Sequence, residues 1–507
     1  MDAEVLRKLA GLSGAERARL VSKLRRSAGV AESGPRLVPR GGGAADASFV
    51  QEQLWFLHQL APGQPSYNVS FSFRLTGPLD SARLLSAVDA VIRRHDVLRS
   101  RLVLRGGTLT QVPDVEVPPV EVVGVPDEAA VREHVLRLAR EPFDLGAGPL
   151  TRAALLRLSP REHVLVWVAH HCVVDGWSFG LILDELRAGY QGATVAEPEL
   201  RYADVAAWQR ERFAAGEFAA ALARWRTRLA GAPSVTIPTD RPRPAAQTFA
   251  GALIAFEVPD DVAAGLDALA DRSGVTLFSV LLTAYQALVS RWSGAPTVVA
   301  GVPLAGRGRP ELNQVVGPLA NTLPIRADLP GDASFADVLA KVHGGVLDAL
   351  EDQDVPFARL VEQLTQGRDP SRNPLFQVLF NLGNLPQGAE GVDLAPDLRL
   401  RPEAHPNGTV RMDMELTMES RGEARGEAPG KSQGGGLAGR LEYNTALYEP
   451  RTAGAVVDSF QRLLRAVAAD PGIRIADLPG PAPRHRVTAR PVAGGRVRRG
   501  RAWADML

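Results

Sequence analysis

The chain has 507 residues, 45% hydrophobic and 23% charged, with one cysteine and a net charge of +1. This is the composition of a globular protein of two or three domains. One cysteine excludes a disulfide framework or thiolate metal cluster, and no apolar run reaches the ~18–20 residues of a membrane span. Residues 481–507 carry seven arginines and one aspartate, or +6, so the other 480 residues sum to +1 − 6 = −5. A mildly acidic body fits neither nucleic acid nor a membrane surface as the main partner.

Residues 1–32 read as a helical leader. Ser13 and Glu16 have capping-box spacing, and Leu20, Val21 and Leu24 share a face. Its acids and interrupted apolar pattern are not those of a secretory signal, so a cytoplasmic location is expected. Residues 33–47 are rich in Gly and Pro and predict a linker. Residues 70–77 and 163–171 predict strands. Residues 82–102 predict a helix with Leu84, Val88, Val91 and Ile92 on its apolar side. A Pro-rich stretch at 237–248 divides the body into a 48–236 half and a 237–480 half. Residues 277–294 predict a helix apolar nearly all round, hence buried. Residues 411–418 and 439–447 predict paired strands around a Gly-rich loop, and 481–507 predict a disordered tail. Strands alternating with helices predict an α/β fold.

Some motifs are set aside. Gly426–Ser432 has three residues between its glycines where a phosphate loop needs four, and GRGRPE at Gly306 lacks the third glycine of a dinucleotide fingerprint. No HExxH or spaced Cys/His set occurs. One cluster remains: Ala169–Gly180, AHHCVVDGWSFG, at a predicted strand-to-helix crossing. Successive strand side chains alternate faces, so His170 and His171 do not both face one cavity, and a shared metal is disfavoured. Which one acts is not set by parity, because the preceding run is apolar on both faces. Asp175 caps the next helix or binds a distant arginine. Gly176 permits a turn or close approach that a Cβ would block. Cys172 reads as a packed residue rather than a reactive thiol. A buried histidine pair beside a capping aspartate explains this motif alone equally well.

Six further stretches change that balance. HHCVVDG (His170–Gly176) resembles the HHxxxDG signature of condensation domains of nonribosomal peptide synthetases. In that family's order, Ser48–Leu57, Arg94–Leu102, Tyr202–Trp208, Val316–Arg326, Gln353–Phe357 and Arg368–Phe380 are similar to its other motifs. The resemblance covers Ser48 to about residue 480. It implies two chloramphenicol-acetyltransferase-like lobes forming a V-shaped pseudo-dimer around a central tunnel. It implies no intrinsic cofactor or metal. Donor and acceptor carrier proteins, alongside other synthetase modules, would present thioesters on 4'-phosphopantetheine arms, and the acceptor amine would attack the donor carbonyl. His171 would be the base or positioning residue, His170 its support, Asp175 structural with Arg326 as candidate partner, and Asn321 a lobe-interface residue. Gln53, Val50, Leu319, Ala320 and Ala358 depart from the family pattern, and the changes at Leu319 and Ala320 are expected to reshape the tunnel.

Competing readings share the fold. An epimerization domain carries HHxxxDG, but its partner motifs are not apparent. A heterocyclizing domain has a DxxxxD pattern, absent here. A CoA-dependent HxxxD acyltransferase would take free CoA thioesters, and a non-catalytic member would only dock carriers.

Overall fold

A computed structural model describes residues 35–481 except 114, 366–368, 384–390, 404 and 421–435. The leader, the arginine-rich tail from 482 and the phosphate-loop lookalike at Gly426–Ser432 lie outside the described residues. The first part of the chain supplies β1 (Ala45–Asp46), β2 (Asn68–Thr76), β3 (Arg101–Arg105), β4 (Thr108–Val112), β5 (Glu121–Gly124), β6 (Thr151–Ser159) and β7 (Glu162–His170). The second supplies β8 (Gly251–Val258), β9 (Thr297–Leu304), β10 (Asn321–Asp328), β11 (Val378–Gly383), β12 (Val392–Ala395), β13 (Leu398–Glu403), β14 (Met414–Ser420) and β15 (Leu437–Asn444).

They form two six-stranded mixed sheets, ordered β12-β13-β2-β7-β6-β5 and β10-β9-β11-β14-β15-β8, beside a small β1-β4-β3 sheet. Each large sheet has its own hydrophobic core, so the fold is α/β in two lobes. β7 is buried along its whole length after Glu162, which is why its sequence is apolar on both faces. The Leu277–Ser293 helix buries 14 of its 17 residues in the second core, as its all-round apolarity predicts.

Three expectations need correction. The helix expected over 82–102 spans Ser81–Arg94 and gives way to a short turn and then β3. There the polar side chains find partners elsewhere: His95 meets Glu185 at 3.0 Å and Asp96 meets Arg201 at 2.5 Å. The expected linker is docked rather than free over its described part. Trp208 Nε1 donates to Pro35 O (2.7 Å), Arg40 N donates to Asp204 Oδ1 (2.9 Å), and Ala45–Asp46 pairs with β4.

The cores also do not divide at 236/237. The first core takes residues through Trp208, and the second begins at Phe218. Two later segments return to the first lobe: Leu312–Leu319 enters its core, and β13 pairs antiparallel with β2 from Arg399↔Thr76 to Glu403↔Ser72.

Candidate active site

β7 delivers the two histidines to the edge of the first core, and they part there. His170 is 3% exposed. Its Nδ1 accepts from Cys172 N (3.2 Å), and its ring lies 6.3–6.4 Å from those of His58, Tyr67 and Phe143. Burial first, then His171 and His58, pushes its pKa down to about 3, so it is neutral near pH 7. Cys172 is fully buried and burial pushes its thiol well up, so it is inert.

His171 is half-buried, with its backbone N–H donating to Tyr67 O (2.8 Å). Burial, then the positive charge of Arg411, lowers its pKa below the usual 6.5. Its own backbone, Asp175 and the Val174 backbone oppose that shift. The imidazole is therefore neutral near pH 7, with one ring nitrogen able to accept a proton.

Asp175 is a structural hub. It caps the Gly176–Tyr190 helix, accepting from Ser178 N (2.9 Å) and Ser178 Oγ (2.7 Å). It also accepts from Arg307 Nη1 (2.8 Å), Leu319 N (3.0 Å) and Ala320 N (3.2 Å). Both halves of the Asp175–Arg307 pair are 2% exposed in their side chains. The aspartate thus both caps a helix and binds a distant arginine.

That arginine is not Arg326. Arg326 lies on β10, pairs with Asp328 at 3.0 Å and donates to Ala230 O. In the alternation along β10, Arg326 is two residues past Pro324, well down the strand from the crossing loop. Arg307 instead sits on the loop 305–320, which leaves β9 and packs on the first lobe. It further donates to Ala305 O (2.9 Å) and Val315 O (3.0 Å). Two glycines let this loop close. A Cβ on Gly306 (φ +68°) would sit 1.8 Å from Leu319 O, and one on Gly317 (φ +152°) would sit 2.2 Å from the Tyr202 ring.

Leu319 and Ala320 serve Asp175 through their backbone N–H groups, and the Leu319 side chain is in the first core rather than shaping a tunnel wall. Asn321 opens β10 and clamps the Gln353–Phe357 stretch: Nδ2 donates to Gln353 O (2.9 Å) and Val355 O (2.7 Å), and Oδ1 accepts from Phe357 N (3.1 Å). Gly176 is the exposed first residue of its helix, with no atom within 4 Å of a Cβ placed on it. Intramolecular crowding therefore does not explain this glycine. Among the described residues no group of three or more His, Cys, Asp or Glu could hold a metal.

The condensation-domain family model matches residues 43–484, which contain every motif of the cluster and its supports. The chain belongs to the condensation-domain family. Condensation domains are amide-bond-forming acyltransferases of nonribosomal peptide synthesis. This condensation domain is 40% identical over 489 residues, 93% of its length, to phosphinothricin tripeptide synthetase PhsC of Streptomyces viridochromogenes. It is 36% identical over 466 residues, 89% of its length, to chondramide synthase cmdD of Chondromyces crocatus. It spans only 44% and 11% of those two proteins. Among solved structures, the X-domain from teicoplanin biosynthesis superposes with a TM-score of 0.78 at 27% identity, covering 88% of this chain and 99% of that one.

Sequence reasoning missed Arg307, although its signal was present: it is the first arginine of the GRGR stretch at Gly306, directly after an apolar strand. It also missed the capping box at the first signature motif. Ser48 Oγ accepts from Gln51 N, Gln51 Oε1 accepts from Ser48 N, and Gln51 Nε2 reaches across to Cys172 O (3.2 Å).

Proposed function

We propose that this condensation domain joins a donor acyl or peptidyl thioester to an aminoacyl thioester, each presented on the 4'-phosphopantetheine arm of a carrier protein. The supporting observation is the division between the two histidines. His170 is sealed in an aromatic box, while His171 is half-buried, neutral, and held at a loop pinned by Asp175 and Arg307.

In this reading the amine nitrogen attacks the donor carbonyl and the C–N bond forms. His171 takes a proton from that nitrogen. The C–S bond then breaks, and the proton goes to the departing sulfur, leaving an amide and a carrier thiol. An α-amine has a pKa near ~8, so a neutral fraction exists near pH 7. A base then contributes roughly 10²–10⁴-fold, and holding both tethered reactants contributes at least comparably. His170 supports the strand end, and Asp175 holds the loop. The open space beside Gly176 is left for substrate. Carriers and other synthetase modules are the partners, the chain needs no cofactor of its own, and the cytoplasm is its location.

The test pairs the protein with a panel of loaded donor and acceptor carriers and weighs the acceptor carrier by mass spectrometry. An acceptor-bound amide product is expected, with no comparable product from free CoA donors. Efficient turnover of CoA thioesters would instead mark a CoA-dependent acyltransferase. Carrier binding without product would mark a docking member of the fold.

A further inference from the structure

Gln51, in the first turn of the Phe49–Leu60 helix, makes more hydrogen bonds than a helix cap needs. A capping box asks its third helical position for one acceptor, which glutamine and glutamate supply equally well. Gln51 Oε1 fills that role by accepting from Ser48 N (2.9 Å). Its amide nitrogen is surplus to the cap and donates to Cys172 O (3.2 Å), 121 positions away. Both residues are 0% exposed. A glutamate there would leave Cys172 O without its donor and face it with a second acceptor. The amide therefore answers to the histidine turn rather than to its own helix.

The backbone around His171 is held by hydrogen bonds on both sides. His171 N donates to Tyr67 O (2.8 Å), Cys172 N to His170 Nδ1 (3.2 Å) and Val173 N to His170 O (3.0 Å). Gln51 then holds the carbonyl of Cys172. The ring is less constrained: His171 Nδ1 is buried and has no hydrogen-bond partner among the described residues. An imidazole is commonly aimed by the bond its second nitrogen makes. Here that task falls to the backbone of the turn.

The helix end that carries Gln51 is itself anchored. Ser48 Oγ and Tyr202 Oη hydrogen-bond at 2.6 Å. The neighbouring Glu52, 5% exposed, is gripped by Arg210 and, from the second lobe, by Arg359 at 3.3 Å. The Arg359 guanidinium also lies 4.6 Å from the centre of the Phe49 ring. The first turn is thus tied to both lobes, and the Gln51 donor starts from a fixed point.

We infer that Gln51 is a positioning residue for His171: it carries the placement of this helix into the turn, whose backbone aims the imidazole at the acceptor amine. This deepens the amide-forming reading and rests on it.

The test compares Gln51→Glu, which keeps the capping acceptor and loses the donor, with Gln51→Met, which loses both. Circular dichroism and urea midpoints establish which variants are folded. In condensation between loaded carriers, both should lower kcat about tenfold or more, with KM for the loaded acceptor within about twofold of wild type. A residue that only caps its helix predicts wild-type kcat for Gln51→Glu. That result, or a folded Gln51→Met with kcat within about twofold of wild type, overturns the assignment. If Gln51→Glu does not fold, Gln51→Met decides. A second readout needs no substrate. The His171 Cε1–H resonance, assigned by its loss in His171→Ala, should shift or broaden in both variants, while that of His134, on the Glu128–Arg140 helix, stays in place. An unchanged His171 resonance overturns the positioning role. A changed one, with no condensation product from any carrier pair even for wild type, counts against the amide-forming reading alone.

Discussion

At the scale of single residues, neighbouring positions have opposite fates because of what surrounds each ring. His170 is neutral in the fold, but in the unfolded chain it protonates near 6.5. Between about 6.5 and 3 the unfolded state binds the extra proton, so stability present above 6.5 is lost as pH falls through that window. Urea midpoints measured from pH 7 to pH 4 should fall less steeply for His170→Asn than for wild type; parallel slopes would remove the assignment. His171 is depressed by burial and by Arg411, so the acid limb of kcat/KM should lie below pH 6.5. Arg411→Met removes one of the two lowering causes, and the limb should move up toward 6.5 in a pH–rate profile. The Asp175 partner is decided by a paired comparison. Arg307→Met strands a buried carboxylate and should cost about 3–5 kcal/mol in chemical denaturation. Arg326→Met breaks a pair whose Asp328 is 58% exposed and should cost about 0–1 kcal/mol.

At the scale of elements, the loop 305–320 ties the lobes together. Ser178 Oγ accepts from Gly317 N (3.0 Å), Tyr202 donates to Pro318 O (3.1 Å), and Trp177 Nε1 donates to Asn313 O (3.0 Å). Gly317→Ala would drive a Cβ into the Tyr202 ring at a positive φ, and should lower stability by roughly 2–4 kcal/mol. A loss below about 0.5 kcal/mol, the range of an uninvolved surface site, would show that the loop is not clamped there. Elements with strong periodicity were legible in advance. β7, the Leu277–Ser293 helix and the β14–β15 hairpin come from long apolar or alternating runs, whose signal is local. The Arg94–Ser100 stretch was not, because its polar side chains bond to Glu185 and Arg201 far along the chain.

At the scale of the whole molecule, the ordered motifs made the two-lobed architecture readable, while the division between lobes was not. β12, β13 and the 312–319 segment return to the first lobe, and no local pattern announces a return. The site was legible to the same depth. His171, Asp175 and Asn321 fall on motif positions, and Asn321 holds the next motif in place through its amide. Arg307 was not legible, since it meets Asp175, 132 positions earlier, only when the 305–320 loop is laid on the first lobe. The central claim is that His171 does the work while His170 only supports it. Single-turnover condensation between one loaded donor carrier and one loaded acceptor carrier tests it, with circular dichroism confirming that each variant is folded. His171→Ala should slow amide formation by about 10²-fold or more. A folded His171→Ala variant that condenses within about threefold of wild type would contradict the account.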